Sequence, residues 1–444
     1  MSIIEPKTLP GTMELLPKEQ ILFNEIKSKI QNVYESFGFL PLDTPIIEKS
    51  DVLLAKAGGE TEKQIYRFTK GDNDICLRFD LTVPLAKYVA ANINELEFPF
   101  KRYQIGKVYR GEKPQKGRYR EFYQCDIDTI GKDTLSIKND AEYPAVIYSI
   151  FKSLDFGDFT IMLNNRKIIN GLFEELNLSS QKEDIMRLID KFDKMGKDNV
   201  VACLLDDYKL DQNTCDRLIN FLTFEGTTDE KLDMLKNAGF SSEIYNTGVS
   251  ELEEVIKCVR LQGVPDKYFK IKLTIVRGLD YYTGTVYETI LNDYPNLGSV
   301  CGGGRYDNLA GFYTEQKLPG VGIAIGITRL FYQLCENNLI KASKSSIAEV
   351  LVLPMDDNAI EKGYAVASKL RLSGIPCQLY LEDKKFKNKI NYADKLKIPY
   401  VVIIGEDEVN NNYVTLKDMF NFSQEKVEDL KLVDTVKEKI NNSK

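Results

Sequence analysis

The hydrophobic pattern of this chain changes twice, and that change constrains the fold more than any other feature of the sequence. Strand-like apolar runs occur in the first part of the chain and return at 270–276, 285–291 and 320–325. Between them, residues 167–264 carry Glu, Asp, Lys and Leu at helical spacing and contain no proline. The sequence therefore predicts an α+β domain whose sheet is interrupted by a helical insertion and then resumed.

Two strands joined by a long polar loop are the most distinctive pattern before the insertion. The apolar pieces 98–109 and 121–130 flank the basic segment 110–120, as the strands of a hairpin flank its loop. Because this loop is unusually polar, it is expected to project into a cleft. A helix over 17–37 and an extended stretch over 39–47 are predicted ahead of these strands.

The length of the chain predicts more than one domain. A chain of 444 residues exceeds the size at which a single core usually stops growing. We predict the first part of a mainly antiparallel α+β domain at 1–166, the helical insertion at 167–264 and the second part of that domain at 265–336. A polar linker then leads to a separate domain at 347–444.

The last domain has the alternating pattern of an α/β fold. Short apolar runs at 350–353, 378–381 and 400–404 alternate with helical segments at 358–372 and 384–397. A cluster of lysines gives this domain local basic surface, at positions 384, 385, 387, 389 and 395. Such a cluster fits nucleic-acid binding and the solvated face of a helix about equally well.

Cysteine usage and hydropathy predict a reduced, cytoplasmic protein. The eight cysteines form no C-x-x-C pair, unlike a disulfide framework or a zinc ribbon, so mostly buried free thiols and no zinc are expected. No apolar stretch reaches the length of about 18 residues that spans a bilayer, and the first residues lack a basic-then-apolar signal. We therefore expect no membrane association.

The sequence contains no histidine. Imidazole is the commonest general base and the commonest metal ligand, so any chemistry has to proceed without it on the protein side. The net charge of −7 is only weak evidence against a nucleic-acid partner, because binding depends on local basic surface.

The familiar nucleotide-binding loops are also missing. The sequence has no G-x-x-x-x-G-K-[ST], and the glycines of 320–326 have the wrong spacing for G-x-G-x-x-G. If the chain binds ATP, arginines have to hold the phosphates, because their planar, charged forks match phosphate oxygens. The candidates are Arg110, Arg118, Arg277 and Arg329.

Two segments resemble signatures of class II aminoacyl-tRNA synthetases. FKRYQIGKVYRGEKPQKGRYREFYQCDID at 100–128 is similar to the second signature and places Arg110 where an arginine meets the α-phosphate of ATP. PGVGIAIGITRL at 319–330 is similar to the third signature and places Arg329 at its arginine. The resemblance implies that Phe122 and Arg329 sandwich the adenine.

The first signature of this class, which builds the dimer interface, is matched less sharply by residues 33–52, with Pro45 as its proline. The resemblance therefore implies a homodimer that forms through this segment.

A further match is peculiar to the histidyl-tRNA synthetase family. It is RGLDYYTGTVYE at 277–288, and LRFDLTVP at 77–84 and CGGGRYD at 301–307 also fit that family. The resemblance covers nearly the whole chain, with weaker matches in the insertion. It implies an enzyme that activates L-histidine with ATP and transfers it to the 3′ end of the cognate tRNA, releasing AMP and pyrophosphate. It also implies that the domain at 347–444 binds the anticodon.

The family's histidine pocket can be carried over by position. A carboxylate and a phenol can take opposite nitrogens of an imidazole, which would leave phenylalanine or leucine unable to satisfy the buried polar groups. The residues implied are Asp80, Thr82 and Gln124 for the ammonium, Asp128 and Tyr282 for the imidazole, Arg277 for the carboxylate, and Tyr281 and Tyr306 as lining.

The resemblance also implies the chemistry. An ionised carboxylate attacks the α-phosphate without a strong base, so positioning and neutralisation of charge do most of the work. Arg110 and Arg277 would be the catalytic clamp on the α-phosphate and the substrate carboxylate. Arg118 would reach the outer phosphates, Glu112 would contact the adenine or orient the loop, and Mg²⁺ carried with ATP would share the charge.

Contacts with tRNA are implied at two places. Lys113 and Gln115 lie where the loop of this family reads the acceptor end. The lysine cluster of the last domain is the second place.

Each of these residues, taken alone, also has a purely structural explanation. Surface arginines usually form weak solvated pairs, Gly302–Gly304 fits a turn, and Gln124 and Asp128 could face solvent. Two other functions also compete with ligation of histidine. One is a synthetase-like regulatory or tRNA-sensing relative, which typically lacks the arginine at the Arg277 position or the anticodon-binding domain. The other is a class II synthetase for another amino acid, which the segment 277–288 opposes.

Relatives often place histidine at the positions of Gly111 and Tyr123, where this chain has none. Two hypotheses account for the histidine-free sequence. Such a chain can still be translated when histidyl-tRNA is scarce, or the sequence has been engineered.

Overall fold

The structure, a computed structural model, describes residues 3–55, 60–115, 117–276, 282–308 and 310–442. It divides into two compact units, one built from residues up to Met13 and from Ile26 to Ile340, the other from Glu14–Glu25 and the residues after Ile340. The domain boundaries expected at 166, 264 and 336 stay predictions.

The first unit contains a large sheet and a small one. Its strands are β1 Leu40–Pro41, β2 Ile47–Lys49, β3 Arg67–Lys70, β4 Asn73–Leu77, β5 Phe100–Tyr109, β6 Glu121–Ile130, β7 Phe159–Asn165, β8 Phe269–Ile271, β9 Thr285–Leu291, β10 Cys301–Tyr306 and β11 Gly320–Ile325. The large sheet has the order β1-β5-β6-β11-β10-β9-β7-β8, and β2, β4 and β3 form the small sheet. Within the large sheet only the β1/β5 and β7/β8 pairs are parallel. The prediction of a mainly antiparallel sheet is confirmed.

The helices up to residue 340 precede, interrupt and follow this sheet. They are α1 Pro17–Ser36, α2 Ser50–Leu54, α3 Glu60–Gln64, α4 Thr82–Ala91, α5 Glu142–Leu154, α6 Arg166–Glu175, α7 Lys182–Ile189, α8 Phe192–Met195, α9 Lys197–Asp206, α10 Gln212–Leu222, α11 Thr228–Lys236, α12 Glu243–Leu261 and α13 Ile327–Glu336. Helices α6 to α12 lie between β7 and β8, so the sheet is interrupted by helices as predicted.

Side-chain caps define the starts of two helices in the insertion, and two of its helices pack closely against each other. A capping box between Thr227 and Glu230 starts α11, and the Ser242 hydroxyl accepts the Tyr245 amide at the start of α12. Helices α6 and α12 then pack backbone to backbone. A Cβ atom at Gly171 would lie 2.5 Å from the Cβ of Tyr245, and one at Gly248 would lie 2.7 Å from the backbone nitrogen of Ile168. The two glycines therefore set the distance between these helices.

Three local expectations need correction. Gly302–Gly304 is not a turn but the middle of β10, paired on both sides with β9 and β11. The stretch 39–47 is paired as strand only in β1 and at the first residue of β2, and the strand expected at 270–276 ends at Ile271. Beyond β8 the chain turns, with the Asn164 side chain donating to the carbonyls of Leu273 and Ile275.

The second unit has a five-stranded sheet of its own. Its strands are β12 Val350–Pro354, β13 Cys377–Leu379, β14 Tyr400–Ile404, β15 Tyr413–Asp418 and β16 Gln424–Glu428, and its helices are α14 Ile360–Leu372, α15 Phe386–Lys395, α16 Glu406–Asn410 and α17 Leu432–Asn442. The order is β13-β12-β14-β15-β16, with β12 parallel to both of its neighbours and the last two strands antiparallel. The predicted α/β domain is present.

One member of the lysine cluster is not on the surface. Lys389 is 5% exposed, and its Nζ donates to the carbonyl oxygen of Pro354 at 2.8 Å. It ties α15 to the end of β12. The basic surface expected at 384–395 therefore has one lysine fewer than predicted.

All eight cysteines are free, but only Cys76, Cys125, Cys215 and Cys301 are buried, which is fewer than expected. Across the described parts of the chain, every helix is too short or too polar to traverse a bilayer.

Candidate active site

One face of the large sheet carries polar side chains at every second position of two neighbouring strands. In β5 these are Arg102 and Gln104, and in the register of the hairpin they lie opposite Asp128 and Asp126 of β6. Gln124 follows on the same face of β6. A polar row inside a central sheet is costly unless it has a use, so this face is the candidate site.

The neighbouring strands keep side chains out of this row. A Cβ atom at Gly322 of β11 would collide with the Asp128 carboxylate, and one at Gly304 of β10 would lie 2.9 Å from the Tyr282 ring. A Cβ atom at Gly320 would lie 2.5 Å from the Tyr306 ring. We call these three glycines the glycine floor. It leaves room for two tyrosine rings and a carboxylate over the bare backbone.

Asp128 is held in a buried network. It is 4% exposed, its Oδ2 pairs with Nη2 of the fully buried Arg102 at 2.6 Å, and its Oδ1 accepts the Tyr306 hydroxyl at 2.9 Å. Burial raises the pKa of the Asp128 carboxyl, and Arg102 and the Tyr306 hydrogen bond oppose the rise. The interpretation in which Asp128 faces solvent is wrong.

Asp80 and Thr82 lie at the start of α4. The Asp80 Oδ1 accepts the backbone amides of Thr82 at 3.1 Å and Val83 at 2.9 Å, so one oxygen of this carboxylate is committed to the helix. This places both residues on one turn. Thr82 is the first residue of the helix.

Arg110 follows the last residue of β5 and is enclosed by aromatic rings. Its guanidinium carbon lies 4.4 Å from the centre of the Phe79 ring and 5.1 Å from that of Phe122. Its Nε donates to the Phe79 carbonyl at 3.2 Å. Burial lowers its pKa, while Asp80 and Glu112 act in the opposite direction. A cation held this way is suited to a phosphate or carboxylate group.

A cavity of about 630 Å³ opens in front of these residues. Its volume is in the range of small-molecule sites. It is lined by predicted nucleotide contacts together with predicted histidine contacts, namely Arg110, Glu112, Arg118, Phe122, Gln124, Tyr282 and Arg329. Residues expected to hold two different substrates therefore share one space.

The loop between β5 and β6 supplies the outer part of the cavity. Arg118 Nη1 lies 3.6 Å from the Glu112 carboxylate, and Gln115 and Arg118 exchange backbone hydrogen bonds. Lys113 and Gln115 are exposed beside them. From α13, the Arg329 Nη2 donates to the carbonyl of Leu297 at 3.0 Å.

Two of the predicted residues, Arg277 and Tyr281, lie outside the described residues. Tyr282 is described, and it packs beside Met162 and Val286 as well as on the glycine floor.

Sequence reasoning missed several residues of the site. Arg102 and Asp126 belong to the buried row, and their signal was the alternation of polar residues on two adjacent strands. Asp190 and Ser299 also line the cavity, and no local pattern marked them, whereas Cys301, another lining residue, is the first residue of the CGGGRYD match. Asp190 comes from the helical insertion, directly after α7.

The side chains that line the cavity indicate how a metal ion carried with ATP would be bound. The cavity is lined by Arg110, Arg118 and Arg329, with Glu112 and Asp190 as its acidic lining residues. Within the described ranges, no group of three or more Cys, Asp or Glu side chains is arranged to hold a metal ion. This set fits an ion that is carried by nucleotide phosphates better than one held in a protein cage.

Comparisons with known proteins agree with this architecture. The Histidyl-tRNA synthetase family model matches residues 11–330, and the Anticodon binding domain model matches residues 349–439. A histidine–tRNA ligase of Clostridium tetani is 56% identical over 424 residues, which cover 95% of this chain and 96% of that protein.

Solved structures give the same answer for the fold. The crystal structure of histidyl-tRNA synthetase from Nostoc sp. PCC 7120 matches with a TM-score of 0.91 and 40% identity, covering 98% of this chain and all of that one. An ATP phosphoribosyltransferase regulatory subunit/histidyl-tRNA synthetase from Bacillus halodurans C shares the fold at a TM-score of 0.74 and 20% identity, covering 91% of this chain and 99% of that one. On the matched length and identity, this chain belongs to the histidyl-tRNA synthetase family.

Proposed function

We propose that this protein is a histidine–tRNA ligase that activates L-histidine with ATP and transfers it to the 3′ end of its tRNA. The observation that carries the proposal is the shared cavity, in which Arg110, Phe122 and Arg329 of the nucleotide set meet Gln124 and Tyr282 of the histidine set. Relatives of high identity over the full length carry the same name.

In the first step, a carboxylate oxygen of histidine attacks the α-phosphorus of ATP. The bond to the bridging oxygen of the β-phosphate breaks, and pyrophosphate leaves. Arg110 and Arg277 hold the α-phosphate and the substrate carboxylate in line, and Arg118 meets the outer phosphates. Because the nucleophile is already ionised, no imidazole base is needed. Mg²⁺ carried with the nucleotide would neutralise part of its charge.

Adenine lies between Phe122 and Arg329, where stacking and the attraction of a cation to a ring act together. Glu112 orients the loop through Arg118, 3.6 Å away. The histidine substrate lies against the side chains that the glycine floor carries. Asp80, Thr82 and Gln124 take its ammonium, Arg277 its carboxylate and Tyr282 its ring, and Tyr281 and Tyr306 line the pocket.

In the second step, a ribose hydroxyl of the terminal tRNA nucleotide attacks the carbonyl carbon of the adenylate, and AMP leaves. Lys113 and Gln115 are exposed on the same loop as the lining residues Glu112 and Arg118, and they contact the acceptor end. The second unit binds the anticodon, which its family match supports.

The working form is a cytoplasmic homodimer. Leu40, Ile46 and Ile47 are 58%, 41% and 52% exposed, and they lie within the segment 33–52 that carries the first class II signature. Exposed apolar side chains in this segment support association with a second copy. The free cysteines fit a reducing compartment.

The test is exchange of labelled pyrophosphate into ATP that depends on histidine. Arg277→Ala is expected to lower the exchange rate by about 100-fold or more, because it removes a donor aimed at charge that develops in the transition state. ATP binding, measured by titration calorimetry, should change far less.

Arg217→Ala serves as the control, because Arg217 is exposed on α10. Exchange that requires a different amino acid would contradict the substrate. Absence of exchange in folded protein would favour a regulatory relative instead, since that fold is shared.

A further inference from the structure

The pairing between β9 and β10 ends beside Tyr282. Its last residue pair is Gly304 with Val286, and the Tyr282 ring packs over Gly304. Beyond this pair, the backbone amide of Thr283 donates to the carbonyl oxygen of Arg305 at 2.8 Å. Arg305 is therefore the residue of β10 that ties the chain directly after Tyr282 to the sheet.

The side chain of Arg305 supports the same stretch of backbone from behind. Side chains alternate along a strand, so Gly304 faces the polar row and Arg305 faces the opposite side of the sheet. A Cβ atom at Gly284 would lie 2.9 Å from Cδ of Arg305 and 3.4 Å from its Cβ and Cγ. The stem of Arg305 thus packs directly against the backbone two residues after Tyr282.

The guanidinium of Arg305 is held by a buried carboxylate and two carbonyl groups. Its Nε donates to the two oxygens of Asp140 at 3.1 and 3.0 Å, and its Nη2 donates to one of them at 2.6 Å. Nη1 donates to the carbonyl of Leu135 at 3.1 Å and Nη2 to that of Ser136 at 3.0 Å. The side chain of Asp140 is fully buried and that of Arg305 is 8% exposed. Such a fork-shaped pair fixes orientation as well as distance.

Asp140 is itself fixed between two elements behind the sheet. It lies in the short 3₁₀ helix Ile137–Ala141 ahead of α5, and its carbonyl oxygen accepts the Tyr287 hydroxyl of β9 at 2.7 Å. A buried ion pair seldom stabilises a fold more than well-packed apolar side chains of similar size would. The fixed geometry of the pair therefore explains its presence better than stability does.

We propose that Arg305, locked in place by Asp140, is a positioning residue that sets the place of Tyr282 in the histidine pocket. This inference rests on the proposed function and deepens it, because it gives a substrate contact its support from behind the sheet. Loosening the pair lets the backbone at 283–284 shift, and the Tyr282 ring moves with it. Histidine binding then weakens, whereas ATP binding is kept, because its contacts come from the loop between β5 and β6 and from α13.

The first measurement is histidine-dependent pyrophosphate exchange by Arg305→Lys, which keeps the charge of the side chain but loses its fork. The KM for histidine should rise about 10- to 100-fold, because a small displacement of a contact is costly. The rate at saturating histidine should fall by less than about 3-fold, since mainly binding is lost. The Kd for ATP, measured by titration calorimetry, should change by less than about 2-fold.

A double-mutant cycle separates positioning from a general structural role. Tyr282→Ala removes the ring that the pair is proposed to place. When Arg305→Lys is added to Tyr282→Ala, the KM for histidine should rise by less than about 3-fold further, because the two changes act on one contact. Asp140→Asn, which keeps the shape of the side chain but removes its charge, should behave as Arg305→Lys does in both backgrounds.

Gly248→Ala is the control for lost stability. Gly248 lies in the insertion, at the crossing of α6 and α12, where a Cβ atom would be crowded. This variant should unfold at a lower temperature and keep the native KM for histidine. A raised KM in Gly248→Ala would show that lower stability alone accounts for the effect of Arg305→Lys, which would contradict the inference.

Two further results would overturn it. One is an unchanged KM for histidine in folded Arg305→Lys protein, and the other is an equal effect of Arg305→Lys with and without the Tyr282 ring. If Arg305→Lys does not fold, the joint replacement Arg305→Met with Asp140→Leu removes both buried charges together and allows the same comparison. If the native protein shows no histidine-dependent exchange, the proposed function fails, and that result differs from all of these.

Discussion

At the scale of single residues, the Tyr306 hydroxyl supports a buried charge. It donates to Asp128, whose other oxygen pairs with Arg102. Removing one donor from a buried carboxylate leaves an acceptor without water to replace it. Tyr306→Phe is therefore expected to lower the free energy of unfolding by about 1–3 kcal/mol, measured by urea denaturation.

Tyr88→Phe is the matched control for this variant. Tyr88 packs against the same apolar cluster as Tyr306. No described residue forms a hydrogen bond with its hydroxyl, so its loss should change stability by less than about 0.5 kcal/mol. Equal effects in the two variants would mean that the hydrogen bond to Asp128 does not stabilise the fold.

The residues of the site show how much of it could be predicted from the sequence. Gln124 and Tyr282 were predicted from position and line the cavity. The pairing of Asp128 with Arg102 and Tyr306 was not predictable from the sequence. These partners are 26 and 178 positions away along the chain, and only the order of the strands brings them to Asp128. Their roles toward substrate stay predictions.

At the scale of elements, the crossing of α6 and α12 depends on two glycines. Alanine in the middle of a helix is usually favoured over glycine by about 1 kcal/mol. At Gly248, however, the new Cβ would lie 2.7 Å from the backbone nitrogen of Ile168, which cannot move alone. Overpacking outweighs propensity, so Gly248→Ala should destabilise the protein by about 1–3 kcal/mol in thermal or urea unfolding.

Thr247→Ala tests the propensity effect by itself, because Thr247 is an exposed neighbour on the same helix. It should be neutral or slightly stabilising. A stabilised Gly248→Ala variant would mean that α6 and α12 can move apart without cost.

Long, regular elements were predictable and short ones were not. The strands β6, β9 and β11 and the helix α1 follow apolar periodicity within the sequence, and their bounds agree with the structure to within a residue or two. β10 was not predicted, because three successive glycines resemble a turn until a neighbouring strand lies on each side. Pairing with neighbouring strands therefore decides whether a segment of weak local propensity becomes a strand or a turn.

At the scale of the whole molecule, the absence of histidine connects composition to synthesis. An enzyme that makes histidyl-tRNA, and whose own chain contains no histidine, can be translated when that tRNA is uncharged. Tyr123→His is expected to lower the yield of the protein during histidine starvation, whereas the native chain keeps its yield. Quantitative immunoblotting of both chains in one starved culture provides the measurement.

Tyr123→Phe controls for the loss of the tyrosine. The Tyr123 ring lies 4.7 Å from the Lys27 ammonium, a contact that phenylalanine can keep. Equal yields of the Tyr123→His and native chains under starvation would leave engineering as the explanation of the composition.

The glycine floor limits how the shape of this site can change. At Gly304, Gly320 and Gly322 the backbone lies directly beneath the Tyr282 ring, the Tyr306 ring and the Asp128 carboxylate, and a residue without a side chain can only be replaced by a larger one. Any substitution on the floor therefore displaces one of these three groups and can only narrow the space above them. A wider space has to arise at Tyr282 or Tyr306 themselves, where a smaller side chain can replace the ring.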